Sequence, residues 1–157
     1  MRNQKGFAAT EIILIMLIIS TLTGIVVPKM TRIIDTATLD YETKKFRSEF
    51  LFAQSLSRSA TYEPTIFSSS PISKGTPTTF KTAPSGYKIE RNGNLIREEN
   101  LLPNGFKINC PNNLRDVSLS SSGKSGKTGS YIFVSPLNNE RYLKLDSVGR
   151  LRIDRAD

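Results

Sequence analysis

Glu11 is the single charged side chain in a 21-residue apolar run, Phe7–Val27 (FAATEIILIMLIISTLTGIVV). A carboxylate in a membrane-spanning helix costs about 2.5–3.5 kcal/mol at the bilayer centre on insertion scales, and less near the edge. It must protonate, snorkel to the interface without a partner, or meet a cation. A second group able to do chemistry is Gly149-Arg150-Leu151-Arg152. On a strand, Arg150 and Arg152 share a face and stand about 7 Å apart. Two guanidiniums at that spacing can engage a nucleic-acid backbone, and Lys144 and Arg155 could extend the patch. The alternative is an exposed strand whose arginines keep a sheet edge from aggregating. A third group, Gly123-Lys124-Ser125-Gly126-Lys127-Thr128, resembles a phosphate loop only superficially. The Walker pattern needs a glycine where Ser121 stands, and a helix afterwards, whereas Tyr131-Ile132-Phe133-Val134 reads as a strand. A flexible basic loop explains the segment through its Ser and Gly content.

Catalysis finds little support in the composition. There is no histidine to act as a base and no Cys/His cluster to hold a metal, so the chain reads as a non-enzyme with no metal and no cofactor. Cys110 is the only cysteine, which excludes an internal disulfide. It is either a buried, inert thiol or one that pairs with another chain. The formal charge is +8, and from Tyr62 onward there are 14 Lys/Arg against 9 Asp/Glu. A basic surface favours anionic partners such as nucleic acid, phospholipid or acidic polymers, or is simply well solvated.

The elements that position these groups follow from periodicity. Phe7–Val27 as a helix measures roughly 31 Å, close to the ~30 Å hydrocarbon core. Arg2 and Lys5 precede it, so the N-terminus is placed in the cytoplasm and the rest outside, as a single-pass membrane protein. A secretory signal peptide is the competing reading, but Gly-Ile-Val-Val-Pro-Lys is a poor cleavage site after the apolar run. Beyond Pro28, which removes a helical hydrogen bond and should kink the helix, the helical period continues. Met30, Ile33, Ile34, Ala37 and Tyr41, then Phe46, Phe50, Ala53, Leu56 and Ala60, read as one stripe of an amphipathic helix with a single buried face. The helix would run from Phe7 to about Thr61 and stop at Pro64.

From Thr65 the chain changes texture. Ser68–Lys74 and Gly75–Thr79 read as loop. Tyr87–Arg91 and Asn94–Glu98 flank Asn92-Gly93, a pair suited to a type I′ turn, and so predict a hairpin. Gly105–Cys110, Asp116–Ser121 and Tyr131–Ser135 are further strand candidates. Arg141–Leu145 and Arg150–Ile153 alternate strictly and form a last hairpin across Ser147-Val148-Gly149. The fold class is therefore α+β, a long N-terminal helix with a membrane-spanning first half packed against a C-terminal antiparallel β-rich head. Its divisions fall at residues 1–6, 7–27, 28–62 and 63–157.

Lys5-Gly6-Phe7-Ala8-Ala9-Thr10-Glu11 resembles the type IV prepilin and pseudopilin signature: a short basic leader, a Gly, a Phe, and a Glu four residues after the Phe. Pro28 falls where that family commonly has a helix-kinking proline. The resemblance implies that residues 1–6 are a leader cut after Gly6 by a prepilin peptidase, and that the new amine of Phe7 is methylated. It also implies that Glu11 is needed for assembly with other pilin subunits. Cleavage would create the cation Glu11 lacks, since the Phe7 amine of a neighbouring chain could pair with it. The layout of the head is similar to the GspH/FimT-like minor pseudopilins, and to those of competence systems. The resemblance implies a minor subunit of a type II secretion, type IV pilus or competence machine, located in the inner or cytoplasmic membrane and then in a filament. In FimT-like pilins a Gly-Arg-x-Arg tail is associated with DNA binding, which gives the alternative of a DNA-binding minor pilin. A further alternative is a membrane-anchored extracytoplasmic binding domain that never assembles.

Overall fold

In a computed structural model, residues 5–59, 78–100 and 105–154 are described, with side chains from residue 9 onward. One helix, α1 (Lys5–Ser59), is followed by eight strands among the described residues. They are β1 (Thr78–Ala83), β2 (Gly86–Arg91), β3 (Asn94–Asn100), β4 (Lys107–Asn109), β5 (Asp116–Leu119), β6 (Gly129–Val134), β7 (Glu140–Leu145) and β8 (Leu151–Asp154). They make two antiparallel sheets, ordered β3-β2-β1-β5 and β4-β6-β7-β8. The protein is α+β, a long N-terminal helix packed against a β-rich C-terminal head.

The second half of α1 joins the sheets. Phe46 is fully buried, and its ring meets Phe80 and Tyr87 of the first sheet at 5.1 and 5.6 Å. It meets Tyr131 and Phe133 of the second at 5.0 and 5.2 Å. Mostly edge-on or tilted contacts of this kind are favoured by the ring quadrupole. Leu39, Phe50 and Ala53 complete the buried helical face, at the three-to-four spacing of one stripe.

Polar groups fasten that face at its two ends. Near the start, Asp35 Oδ2 accepts hydrogen bonds from Ser135 Oγ at 2.5 Å and Asn139 Nδ2 at 2.7 Å. Beside it, Arg141 Nε donates to Asp40 Oδ1 at 2.7 Å. These bonds hold the β6–β7 turn. Near the other end, Gln54 Nε2 donates to the Gly123 and Gly149 carbonyls at 3.0 and 2.6 Å, and Ser57 Oγ donates to Ser120 O at 2.8 Å. About 28 Å of helix separates Asp35 from Gln54.

Two expectations need correcting. Met30, Ile33, Ile34, Ala37 and Tyr41 are exposed and do not continue the buried stripe. The five-residue step from Tyr41 to Phe46 turns the helix by about 500°, so the first group lies well over 100° out of phase with the second. The face below Phe46 that meets the head carries Asp35, Leu39, Glu42 and Thr43 instead. Second, Thr78 and Thr79, expected in a loop, begin β1, which lies between β2 and β5. Thr78, Phe80 and Thr82 point inward; two threonines among three core-facing positions disguise the alternation.

Both expected hairpins are present. Asn92 and Gly93 have φ of 54° and 79°, the two left-handed residues of a type I′ turn between β2 and β3. β7 pairs with β8 from Tyr142↔Asp154 to Leu145↔Leu151. Helix α1 runs through Pro28 without a break, and Thr31 Oγ1 donates to the Pro28 carbonyl at 2.9 Å. The expected helix stop at Pro64 and the loop Ser68–Lys74 lie outside the described residues.

Candidate functional site

The N-terminal candidate site is carried by the first half of α1. Every described residue from Ala9 to Ile34 is exposed, and this is the segment long and apolar enough to cross a membrane. Its hydroxyls are satisfied within the helix. Ser20 Oγ, Thr21 Oγ1 and Thr23 Oγ1 donate to the carbonyls of Met16, Ile18 and Ile19 at 2.7, 2.8 and 2.7 Å. Back-bonding of this kind removes the penalty of carrying a hydroxyl into lipid. Glu11 makes no such bond and no salt bridge among the described residues. Gly6 and Phe7 lie in the first turn of α1, one helical turn before it.

The C-terminal candidate is a groove between α1 and the end of the second sheet, of about 700 Å³. Gly149 sets its geometry. At φ 87° the backbone is left-handed, and a Cβ would fall 2.6 Å from Gln54 Nε2 and 2.7 Å from Gly123 O. Only glycine lets this turn reach the Gln54 amide. The turn is closed by Asp146, whose Oδ1 accepts from Val148 N at 2.6 Å and whose own N donates to Arg150 O at 3.0 Å. Arg150 and Arg152 are then exposed on either side of Leu151, which is buried.

The structure brings two further arginines to this pair. Arg47 and Arg58 of α1 line the same groove, and no carboxylate among the described residues does. Arg58 Nε donates to Ser122 O at 3.3 Å, which lays its guanidinium along the β5–β6 loop. Some cations elsewhere are matched with carboxylates. Lys81–Glu90, Lys88–Glu98 and Arg97–Glu49 lie 2.7, 2.8 and 2.6 Å apart, and Lys45 pairs with Glu99. Arg47, Arg150 and Arg152 form no ion pair among the described residues.

Lys144 is divided from this group. It sits opposite Arg152 on β7, but lines a neighbouring groove of about 800 Å³ with Asp146 and Asp154. Its surroundings are of mixed sign, and Arg152 stands between the two grooves. Arg155 lies outside the described residues. Sequence reading found Arg150 and Arg152 and missed Arg47 and Arg58. Their only signal was surplus positive charge on a helix face about ninety residues or more from the C-terminal strand.

The remaining candidates do not converge on a site. Ser125 Oγ donates to Lys127 O and Asp146 O at 3.0 and 3.2 Å, tying the Gly-Lys-Ser loop to the β7–β8 turn, and strand β6 follows it. Cys110 is half-buried against the core, and burial pushes its thiol pKa up, away from the reactive thiolate.

No protein-family model, curated protein or solved structure matches this chain.

Proposed function

We propose that this chain is a minor pilin or pseudopilin subunit of a type IV pilus-like filament, anchored through α1 and assembling through it. The observation that carries the reading is the exposed apolar surface of α1, whose Phe7–Val27 run has Glu11 as its single charge. A span of lipid accounts for the stretch to Val27. It does not account for Met30, Ile33, Ile34 and Tyr41, which continue the exposed apolar surface past Pro28 and beneath the head. Surface of that extent favours contact with other helices, and Glu11 calls for a cation such a contact can bring. Trimming after Gly6 creates one, the Phe7 amine of a neighbouring subunit.

Two measurements test this. Mass spectrometry of the chain purified from membranes should give a mature form beginning at an N-methylated Phe7. Glu11→Ala should insert and be trimmed as usual, yet be lost from sheared filaments. An intact Met1–Gly6 leader, or normal incorporation of Glu11→Ala, would overturn the reading in favour of a membrane-anchored domain that does not assemble.

A second reading concerns the head. The arginine groove, which no carboxylate among the described residues lines, favours contact with nucleic acid through Arg150 and Arg152, driven by phosphate and blind to sequence. The two readings are compatible, because one assigns the helix and the other the head.

A further inference from the structure

We infer that the base of the head is a lipid-docking surface. A pocket between α1 and the β6–β7 turn seats on the glycerol and first methylenes of a phospholipid, in the leaflet on the head's side of the membrane. This rests on the reading of α1 as a membrane anchor, and gives the head a second contact with the bilayer.

The pocket has a volume of about 320 Å³ and offers mainly apolar surface, from Ile34 of α1, Phe106 and Leu137. Two of its polar lining residues are already engaged. Thr31 Oγ1 donates to the Pro28 carbonyl, and Asp35 Oδ2 accepts from Ser135 and Asn139.

Leu137 is 50% exposed on a turn that holds it in place. Asn138 N donates to Ser135 O and Ser135 N to Asn139 O, both at 2.9 Å, and the bonds to Asp35 tie the turn to α1. Gly105, at φ 100°, lets the chain before Phe106 pass this turn, since a Cβ there would meet Pro136 Cγ at 3.0 Å. Ile34 stands across the pocket, and Met30 lies one helical turn nearer the span. Leu137 thus extends the apolar surface of the anchor onto the head.

Height selects lipid as the partner. Thr31 and Ile34 stand about 6 and 10 Å beyond Val27 along the helix. Helical side chains lean back toward the N-terminus, here toward the bilayer. The headgroup layer adds about 5–8 Å on each side of the hydrocarbon core. With Phe7–Val27 in the core, Ile34 reaches into that layer, where interfacial apolar faces bury themselves. Lys29 and Arg32, both exposed, fall in the same layer and are complementary to lipid phosphate. The span alone stops short of Ile34; the base of the head completes the contact. Before assembly lipid covers this surface, and in a filament neighbouring helices take its place.

The chain has no tryptophan, so one introduced indole reports alone. The full chain carrying Leu137→Trp is placed in phosphatidylcholine–phosphatidylglycerol nanodiscs, a single chain per disc, with or without brominated acyl chains. Its emission should lie to the blue of an indole in water, and should be lost when bromine sits near the headgroup end. Leu95→Trp on β3 should show neither change, because Arg97 of that strand is bonded to Glu49, about 33 Å beyond Val27. Leu17→Trp, within the span, should be quenched by bromine at mid-chain. Thermal melting of each variant shows that the head is folded. Quenching at Leu17 with none at Leu137 would overturn the docking surface and leave the anchor in place, whereas no quenching at either would remove the anchor too. Shielding at Leu137 only when chains share a disc would assign the surface to a second copy instead. An indole also seeks the interface unaided. The Leu137→Trp chain is therefore measured again with Ile34→Asn, which puts an amide at the pocket on a residue 62% exposed. Its quenching should fall strongly, and unchanged quenching would overturn the pocket.

Discussion

Glu42 is the residue at which the packing of helix against head is least comfortable. It is 6% exposed, and its Oε2 has no hydrogen-bond partner among the described residues. Burial raises its pKa; Lys45 pulls it back down, and Glu99, which shares that lysine, raises it further. The folded state therefore holds this proton more tightly than the unfolded chain does. Its contribution to stability is fully present below the ordinary glutamate pKa near 4.5, and is lost as pH rises through the higher folded value. Glu42→Gln keeps the shape and removes the charge. It should raise the melting temperature at pH 7, and the gain over the unmodified chain should vanish below about pH 4. Melting curves at several pH values read this directly. A gain that persists unchanged in acid would show that charge burial is not its cause.

At the scale of elements, Phe46 is the joint between two sheets that otherwise touch the helix separately. Its four ring partners come two from each sheet, so truncation opens one cavity bordered by both. Phe46→Ala should cost about 3–5 kcal/mol, read as a lower denaturation midpoint of the full chain in detergent. Phe52→Ala, three-eighths exposed on another face of the helix, should cost far less. Legibility in the sequence followed how local each determinant is. The Asn92-Gly93 turn and the alternation of β7 and β8 each lie within fifteen residues and could be read. The phase of the helix could not, because Asp35, Glu42, Thr43 and Gln54 look like solvent-facing residues until the head supplies their environment. β1 was hidden for the same reason, since the hydroxyls of Thr78 and Thr82 are buried. The arginine groove was half legible. Arg150 and Arg152 are two residues apart, whereas Arg47 joins them only through the fold.

The whole molecule divides its surface between two tasks. The head pairs some of its charges, brings Arg150 and Arg152 beside Arg47 at one end, and buries most of its described aromatic residues. The helix below it exposes nearly everything apolar it has. The exposed stripe from Met30 to Tyr41 lies between these regions and faces away from the core, so substitutions there separate folding from assembly. Ile33 is 62% exposed, and Ile33→Glu removes no core contact. Head stability should stay within about 0.5 kcal/mol of the unmodified chain, and insertion should persist because Phe7–Val27 is untouched. If the stripe meets neighbouring helices, a carboxylate there must be desolvated without a partner, and recovery of the chain in sheared filaments should fall strongly while its membrane level holds. Crosslinking between subunits through cysteines placed at Ala37 should fall in parallel. Full incorporation of Ile33→Glu would mean that this stripe stays open to solvent in the assembled state, and that contact is confined to the segment around Glu11.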